Sequence, residues 1–210
     1  MSGTSDLLNC LRMLLAGLEK QTVQDKARRA SAVLIPVFFQ EDRLHMLFTK
    51  RTELVHHHKG EISFPGGGFH AGDGSLLQTA LREAHEEIGL DPAGVQVLGE
   101  LDQIVTRGSP YIISPFIGLI PPAYQYKTSA FEIAEIIIIP VQALIIEGCR
   151  EDGIEVMPEG HLVASHVYAY QKYRITGATA RILRQFLDLY LRADCSVCQD
   201  ANPRLQEGKS

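Results

Sequence analysis

The chain has no tryptophan, only four cysteines among 210 residues, and no long run of either apolar or basic residues. Without about 18 consecutive apolar residues, a membrane-spanning helix is not expected. The formal net charge of −5 and the absence of a basic cluster argue against binding of nucleic acid or of a membrane surface. The N-terminal segment lacks the basic lead of a signal peptide. We therefore expect a protein whose partner is a small molecule.

Cysteine is too sparse for a disulfide framework, which favours a reducing, cytoplasmic location. Cys195 and Cys198 form a single C-x-x-C motif. A zinc site needs two further ligands, and none lies nearby in the sequence. A redox motif would be expected at a strand-to-helix turn, whereas this motif lies in a polar tail. We interpret both residues as incidental thiols.

Hydrophobic patterning divides the chain into three parts. Residues 1–30 hold an amphipathic helix at 5–20 and a polar connector. Residues 31–192 carry the pattern of a folded domain, and residues 193–210 are polar, without periodicity, and expected to be disordered. The sequence leaves open whether the N-terminal helix caps the domain or contacts a second copy in a homodimer.

The domain alternates between strand and helix patterns. We predict strands at 31–39, 44–51, 61–64, 95–105, 112–120 and 133–139, and one long strand or a strand pair at 162–175. We predict helices at 76–88, 140–146 and 178–191. Ser75 and Gln78 have the spacing of a capping box, and Gly89 is suited to end the same helix. This interleaving predicts a single α/β domain with layers around a mixed sheet.

Three glutamates share one stripe of the helix predicted at 76–88. Glu83, Glu86 and Glu87 are spaced i, i+3 and i+4, so they are neighbours on the helix surface. Like charges at this spacing repel one another, and a bound cation would relieve the repulsion. Mg²⁺ prefers oxygen ligands and commonly binds beside phosphate groups. The stripe therefore indicates a metal-assisted enzyme that acts on a phosphate or pyrophosphate.

Residues 82–90 read R-E-A-H-E-E-I-G-L. This segment resembles the core of the Nudix box, R-E-U-x-E-E-x-G-U, in which U is apolar. The resemblance implies the Nudix fold, an α-β-α sandwich around a mixed parallel and antiparallel sheet, and hydrolysis of a pyrophosphate. It implies that Glu83, Glu86 and Glu87 hold Mg²⁺ or Mn²⁺, and that Arg82 holds one of these glutamates in place. The full box departs at Gly74, where a glutamate is expected and Asp73 is the adjacent acid.

A glycine triplet precedes this helix. Gly66, Gly67 and Gly68 have no Cβ atom, which lets the backbone approach a pyrophosphate closely. The start of the helix beyond them offers free N–H groups and a favourable dipole to an anion. We expect these glycines to contact the substrate.

The segments L-F-T-K-R-T at 47–52 and H-K-G-E-I-S-F-P-G-G at 58–67 are similar to the signature before the box in coenzyme A pyrophosphatases. This similarity implies cleavage of coenzyme A, and of acyl forms, into 3′,5′-ADP and 4′-phosphopantetheine. It also implies that Thr49 and Arg51 contact the substrate, with the fork of Arg51 suited to the 3′-phosphate and local pairing as the alternative. His56 and His70 depart from the signature.

Two alternatives remain open: hydrolysis of another nucleoside diphosphate derivative such as ADP-ribose or NADH, and a Nudix-fold module without catalysis. Glu132 and Glu135 occupy a position from which family members often supply a further carboxylate. We favour Glu132 as a base or ligand, with Asp102 as a weaker candidate. We interpret residues 56–58, three histidines in a loop, as solvated or substrate-facing, because adjacent side chains point in different directions.

Overall fold

The computed structural model describes residues 2–53, 60–122, 124–146, 149–156, 160 and 162–200. The helices are α1 (Ser2–Ala16), α2 (Leu76–Ile88), α3 (Val141–Ile145) and α4 (Gly177–Asp200). The strands are β1 (Arg29–Gln40), β2 (Arg43–Arg51), β3 (Ile62–Ser63), β4 (Gly66–Gly68), β5 (Gln96–Glu100), β6 (Ile104–Val105), β7 (Tyr111–Leu119), β8 (Ile133–Pro140), β9 (Arg150–Val156), β10 (Leu162–Tyr170) and β11 (Tyr173–Ile175).

The larger sheet has eight strands and is mixed, as predicted. Its main path runs β3-β2-β1-β7-β5, while β4 pairs with β1, β6 with β7 and β8 with β2. The pair β1 and β7 is parallel, and the other pairs of this sheet are antiparallel. Strands β9, β10 and β11 form a separate antiparallel sheet. The parallel pair at the centre places residues 113–115, in the first half of β7, opposite the β1 residues that pair with the glycine strand β4.

Alternation along β1 creates the two layers of helices. Ala32, Leu34 and Phe38 pack with the apolar face of α2, whereas Ile35 and Val37 pack in a second core that includes α1 and α4. Successive side chains of a strand point to opposite faces, so one strand serves both cores. The layers are therefore helix, sheet and helix, which confirms the predicted α-β-α arrangement. None of the helices in the described ranges is long and apolar enough to cross a membrane.

The ends of α2 follow from local chemistry, and both lie where the sequence predicts them. The Ser75 hydroxyl accepts a hydrogen bond from the Gln78 N–H, which satisfies one of the free donors at the helix start. Gly89 has a φ of 71° and donates its N–H to the Ala84 and His85 carbonyls. Glycine adopts this left-handed conformation without a steric penalty. The glutamate stripe is thereby held on a helix with fixed ends.

Both terminal helices differ from the prediction in length. Helix α1 ends at Ala16, and it packs on α4 and β5 through Leu7, Leu11 and Leu15. It therefore caps its own domain, while the homodimer remains a prediction. Helix α4 continues to Asp200 instead of ending at residue 191, so residues 193–200, predicted to be disordered, are helical. The segment 201–210 lies outside the described residues.

Two strands were missed by the sequence prediction. Strand β4 consists of Gly66–Gly68 and pairs with residues 31–33 of β1. Glycine is depleted in strands, so the triplet reads as a turn when only local preference is considered. Strand β9, R-E-D-G-I-E-V, is rich in charged residues, and it is defined by its pairing with β10.

Candidate active site

Glu87 is the most deeply buried carboxylate of the α2 stripe, with 3% of its side chain exposed. Its Oε2 atom accepts a hydrogen bond from the backbone N–H of Gly66 at 3.3 Å, and its Oε1 atom lies 3.4 Å from Nη1 of Arg51. Burial raises the pKa of Glu87 to about 8, against a smaller lowering effect of Arg51. This carboxyl group is therefore mostly protonated near neutral pH unless a cation compensates its charge.

The Glu83 carboxylate lies directly against Gly67. A Cβ atom on residue 67 would lie 2.5 Å from Cδ of Glu83, well inside van der Waals contact. Burial raises the pKa of Glu83 as well, and the charge of Glu83 contributes to the raised pKa of Glu87. Two carboxylates of like charge thus share one partly buried site, which a divalent cation would stabilise.

The glycine triplet is required by the protein itself at two of its three positions. A Cβ atom on Gly66 would lie 2.4 Å from the carbonyl oxygen of Ala32, and one on Gly67 would meet Glu83. A Cβ atom on Gly68 would meet nothing within 4 Å. Close packing of β4 against β1 and α2 explains Gly66 and Gly67, and the substrate contacts of the triplet remain a prediction.

Arg82 is fixed by a fork-like contact with Asp73. Nε donates to Oδ1 at 2.6 Å and Nη2 donates to Oδ2 at 3.0 Å. Asp73 is buried, and it also accepts hydrogen bonds from the backbone N–H of His70 and the hydroxyl of Thr79, each at 2.9 Å. The Arg82 guanidinium holds the pKa of Asp73 well below its usual range, and Asp73 raises the pKa of Arg82.

Asp73, which the sequence marks as the acid next to Gly74, is thus a site residue, and its pairing with Arg82 was not predicted. Its position beside Gly74, where the box expects a glutamate, was the available signal. Arg82 in turn donates from Nη1 to Glu83 at 2.8 Å and to Glu86 at 3.2 Å. The predicted pairing of Arg82 with a helix glutamate is confirmed. The ion pair between Arg82 and the buried Asp73 therefore helps to position the Glu83 carboxylate.

The three glutamates of α2 supply oxygen ligands that suit a hard divalent cation, but their carboxylates do not surround one common point. In the described parts of the chain, no three His, Cys, Asp or Glu side chains form a cluster that could hold a metal ion. Nη1 of Arg82 donates to both Glu83 and Glu86, whereas Glu87 is held by the backbone N–H of Gly66 and by Arg51. The Glu86 side chain is 56% exposed, so it can turn toward Glu83 and Glu87. The three carboxylates then offer the oxygen ligands that Mg²⁺ and Mn²⁺ prefer.

Arg51 and Thr49 come from the end of β2 but differ in exposure. Arg51 lies beside the buried carboxylate of Glu87, and its Nε atom is buried with no hydrogen-bond partner among the described residues. Thr49 has no exposed surface, and its hydroxyl donates to the Ser63 carbonyl at 3.2 Å. The expected substrate contact of Thr49 is corrected accordingly: Thr49 joins β2 to β3, and Arg51 alone of this pair faces the site.

Glu132 and Glu135 differ in the residues that surround their side chains. Glu132 is close enough for its charge to contribute to the raised pKa of Glu87. Glu135 instead accepts a hydrogen bond from the Tyr173 hydroxyl at 2.5 Å, which lowers its pKa. Asp102 accepts a hydrogen bond from the backbone N–H of Gln21, in the segment between α1 and β1. The geometry therefore favours Glu132 among the three candidates for an additional carboxylate.

A cavity of about 320 Å³ opens beside the glycine strand. Its lining includes Arg51, Phe64, Gly66, Gly67 and Thr179. This volume is in the range of small-molecule sites. Gly66 and Gly67 are also the residues that contact Glu87 and Glu83. The cavity is thus next to the carboxylates of α2. Arg51 lines the cavity and also contacts Glu87.

Some of the predicted features lie elsewhere. His70 offers its backbone N–H to Asp73. His85 is exposed, and its Nδ1 atom is 3.1 Å from the Leu90 carbonyl oxygen, in agreement with its interpretation as a surface neighbour of the stripe. The histidines at 56–58 lie outside the described residues, as do the side chains of Cys195 and Cys198.

Comparison with known proteins identifies the family. A family model of the NUDIX domain matches residues 28–126. A protein named uncharacterized Nudix hydrolase NudL, from Enterobacter sp., is 33% identical over 181 residues, which cover 86% of this chain and 91% of that protein. The chain belongs to the Nudix hydrolase family. A Nudix hydrolase NudL from Photorhabdus laumondii is likewise 33% identical, over 88% of this chain and 96% of its own length.

A solved structure supports the fold. The crystal structure of a MutT/nudix family protein from Enterococcus faecalis superposes with a TM-score of 0.55 at 14% identity, and it covers 89% of this chain and 73% of that one. As a Nudix hydrolase the protein is an enzyme of the pyrophosphatase type. Helix α2, which carries the segment that resembles the Nudix box, lies within the residues that the NUDIX model matches. Nudix hydrolases generally use divalent metal ions.

Proposed function

We propose that this Nudix hydrolase cleaves the pyrophosphate of coenzyme A, in the cytoplasm, to give 3′,5′-ADP and 4′-phosphopantetheine. The observation that carries the proposal is the contact between Arg51 and Glu87. Arg51 belongs to the segment that is similar to the coenzyme A pyrophosphatase signature, and Glu87 belongs to the Nudix box. The contact supports a joint role for both motifs in one site, next to a cavity large enough for a ligand.

The chain's own groups have distinct tasks in this proposal. Glu83, Glu86 and Glu87 bind Mg²⁺ or Mn²⁺, which when bound neutralises phosphate charge and lowers the pKa of a coordinated water. Arg82, fixed by Asp73, holds Glu83 in place. Glu132 is the further base or ligand, because it lies near Glu87 and its neighbour Glu135 is engaged by Tyr173. The backbone of Gly66–Gly68 borders the bound diphosphate.

The position of Arg51 modifies its expected role. A guanidinium that lies 3.4 Å from the Glu87 carboxylate is beside the metal-binding group. We therefore place Arg51 at the diphosphate, where its buried Nε atom offers an additional donor. The 3′-phosphate then requires a different cation.

Another nucleoside diphosphate derivative, such as ADP-ribose or NADH, is the second candidate substrate. The observation in its favour is His70, which stands where the coenzyme A signature has an acid. A module without catalysis is disfavoured, because all three glutamates of the box are present.

A substrate panel tests the proposal. The purified full-length enzyme is incubated with coenzyme A, dephospho-coenzyme A, NADH and ADP-ribose, each with Mg²⁺ and with Mn²⁺, and the products are separated by chromatography. We expect coenzyme A to have the highest kcat/KM and to yield 3′,5′-ADP. Robust cleavage of ADP-ribose or NADH with no turnover of coenzyme A or its acyl forms would overturn the proposal.

Two variants show whether the observed turnover comes from this site. Glu87→Gln keeps the size of the side chain and removes the carboxylate, so we expect kcat to fall by about 10²-fold or more. Glu100→Gln is the matched control, since Glu100 is the last residue of β5 and forms an ion pair with Lys20. Retention of full activity in Glu87→Gln would remove the Nudix box from the mechanism.

A further inference from the structure

The segment 129–132, just before β8, connects the end of α2 with the end of β2. The Ser129 N–H donates to the Glu87 carbonyl at 3.0 Å, and the Glu132 N–H donates to the Ser129 carbonyl at 3.0 Å. At the other end of the segment, the Thr52 N–H donates to the Glu132 carbonyl at 2.9 Å. The backbone of Glu132 is therefore held both from the helix that carries the glutamate stripe and from the strand beside it.

A β-bulge determines which residue of this segment lies opposite Thr52. The register of β2 with β8 changes between Lys50 and Arg51, where β8 contributes one extra residue, Ala134. Beyond this point, each residue on the β2 side lies opposite a residue one position earlier in the chain than an unbroken register would give. Thr52 therefore meets Glu132, as the bond from its N–H shows. Bulges are common next to active sites, where they redirect a side chain.

The side chain of Thr52 also bonds to this segment. Its hydroxyl donates to the Phe131 carbonyl at 2.6 Å, so two consecutive carbonyls accept hydrogen bonds from one residue. Thr52 is buried, with 8% of its surface exposed, and a buried carbonyl that loses its donor is costly. The Phe131 side chain is 61% exposed. At Phe131, hydrogen bonding rather than side-chain packing therefore fixes the backbone.

The position of the Glu132 backbone matters because its carboxylate is the further base or ligand of the proposed function. Its side chain is partly buried, and its charge contributes to the raised pKa of Glu87. A shift of the backbone at residue 132 moves the carboxylate with it. A displacement of about 1 Å in a catalytic group can cost about 10²-fold in rate. The contacts that hold this backbone therefore affect catalysis directly.

We propose that Thr52 is a positioning residue, which holds the Glu132 carboxylate at the active site through the bonds of its N–H and hydroxyl to the carbonyls of Glu132 and Phe131. The assignment rests on the proposed function and deepens it, because it names the residue through which Glu132 is placed. Thr52 acts through Glu132 and is given no contact with the substrate.

Removal of the hydroxyl tests this role. Thr52→Val keeps the shape of the side chain and removes the donor to the Phe131 carbonyl. We expect kcat of the full-length enzyme with Mg²⁺ to fall about tenfold or more, and KM to change by no more than about twofold. Thr52→Ser keeps the donor and should retain kcat within about twofold of the wild-type value. Thr52→Ala replaces the valine variant if that variant does not fold.

A double-mutant cycle shows whether the effect passes through Glu132. Glu132→Gln alone should lower kcat by about 10²-fold. Thr52→Val combined with Glu132→Gln should be no slower than Glu132→Gln alone, because no carboxylate is left to position. A merely structural role would instead give two losses that multiply, and this result would overturn the proposal. Unchanged kcat in Thr52→Val would overturn it as well.

Thr49→Val is the matched control on the same strand. Thr49 is fully buried, and its hydroxyl also donates to a backbone carbonyl, that of Ser63, at 3.2 Å. The substitution removes a comparable hydrogen bond but none to the segment 129–132. We expect it to keep kcat within about twofold of the wild-type value. A loss as large as that of Thr52→Val would overturn the assignment, since any buried hydroxyl of β2 would then have the same effect.

The substrate used in the cycle separates this assignment from the proposed function. If coenzyme A is cleaved and the losses from Thr52→Val and Glu132→Gln multiply, the role of Thr52 is wrong and the proposed function stands. If ADP-ribose or NADH is cleaved instead, and the cycle on that substrate shows no further loss in the double variant, the proposed substrate is wrong and the role of Thr52 stands. Full activity of Glu132→Gln on coenzyme A would overturn the role of Thr52 alone, together with that of Glu132.

Discussion

The glutamates of the Nudix box differ in environment although they are adjacent on one stripe. Glu87 is almost fully buried, Glu83 has 15% of its side chain exposed and Glu86 has 56% exposed. Burial raises the pKa of Glu87 and of Glu83, because a desolvated carboxylate is less stable in its charged form. The most buried member therefore gains most when a cation binds, and the most exposed member is the one that can move.

We predict that the metal-free protein loses stability as pH rises from 4.5 to about 8, and that Glu87 causes much of the loss. The folded protein keeps the proton on Glu87 up to a pKa of about 8, whereas the ordinary value is 4.5. Between these values the folded state binds more protons than the unfolded chain, so the free energy of unfolding falls with rising pH. Urea unfolding in EDTA at several pH values measures this dependence.

The variant Glu87→Gln should flatten that pH dependence, because an amide does not titrate in this range. Glu86→Gln is the comparison, since the exposed Glu86 side chain is not desolvated. An equally steep decline in Glu87→Gln and in the wild-type protein would contradict the assignment to Glu87.

The Gly67→Ala variant is predicted to lose activity because its methyl group would occupy the position of the Glu83 carboxylate. Displacement of a catalytic group by about 1 Å commonly costs about 10²-fold in rate. We expect kcat to fall on this scale in steady-state assays. Gly72→Ala is the control: a Cβ atom there meets nothing within 4 Å. Unchanged kcat in Gly67→Ala would show that Glu83 need not keep its position.

Sequence and structure agree best on the residues of the box and least on their partners. The spacing of Glu83, Glu86 and Glu87 is local, so their common stripe follows from helix geometry alone. The contact of Arg82 with Asp73 joins residues nine positions apart across a turn, and that of Arg51 with Glu87 joins a strand to a helix. Such contacts depend on tertiary packing, which residue spacing does not encode.

At the scale of elements, α2 shows what local signals determine. Its predicted bounds match the observed ones, because a capping serine, an amphipathic pattern and a terminating glycine all agree. Strand β4 shows the opposite case. Three glycines have little strand preference of their own, and pairing with β1 places them in the sheet. In β4, local preference and tertiary pairing therefore disagree at the site itself. Glycine is needed there because Gly67 packs against Glu83 too closely for a Cβ atom.

Helix α1 is predicted to contribute to stability through its buried face. Leu11 is 1% exposed in the core shared with α4, whereas Met13 on the opposite face is 66% exposed. Leu11→Ala should lower the free energy of unfolding by about 2–4 kcal/mol through lost burial and a residual cavity. Met13→Ala should change it by no more than about 0.5 kcal/mol. Urea unfolding measures both, and equal effects would contradict the packing of α1 on α4.

At the scale of the whole molecule, a divalent cation acts on an acidic protein with a formal net charge of −5. We predict that Mg²⁺ or Mn²⁺ raises the melting temperature, and by more at pH 8.5 than at pH 6, if the ion competes with the proton on Glu87. Binding at 100 times the Kd adds about 2.7 kcal/mol to the free energy of unfolding. Thermal melts across a metal titration measure the effect.

The variant Glu83→Gln should weaken the response to both ions, and Glu100→Gln should leave it intact. If neither ion shifts the wild-type melting temperature at either pH, the carboxylates of α2 are not a metal site in the free enzyme. Prior chelation with EDTA provides the starting state for each titration.

The contact between α1 and α4 joins segments that are far apart in the order of translation. Helix α1 ends at Ala16 and α4 begins at Gly177, so a ribosome must add roughly 160 residues before the partner of α1 is made. At ordinary elongation rates this interval lasts on the order of ten seconds. During that time the leucines of α1 lack the native surface that α4 supplies. The nascent chain therefore offers a binding segment for a chaperone until its last helix emerges.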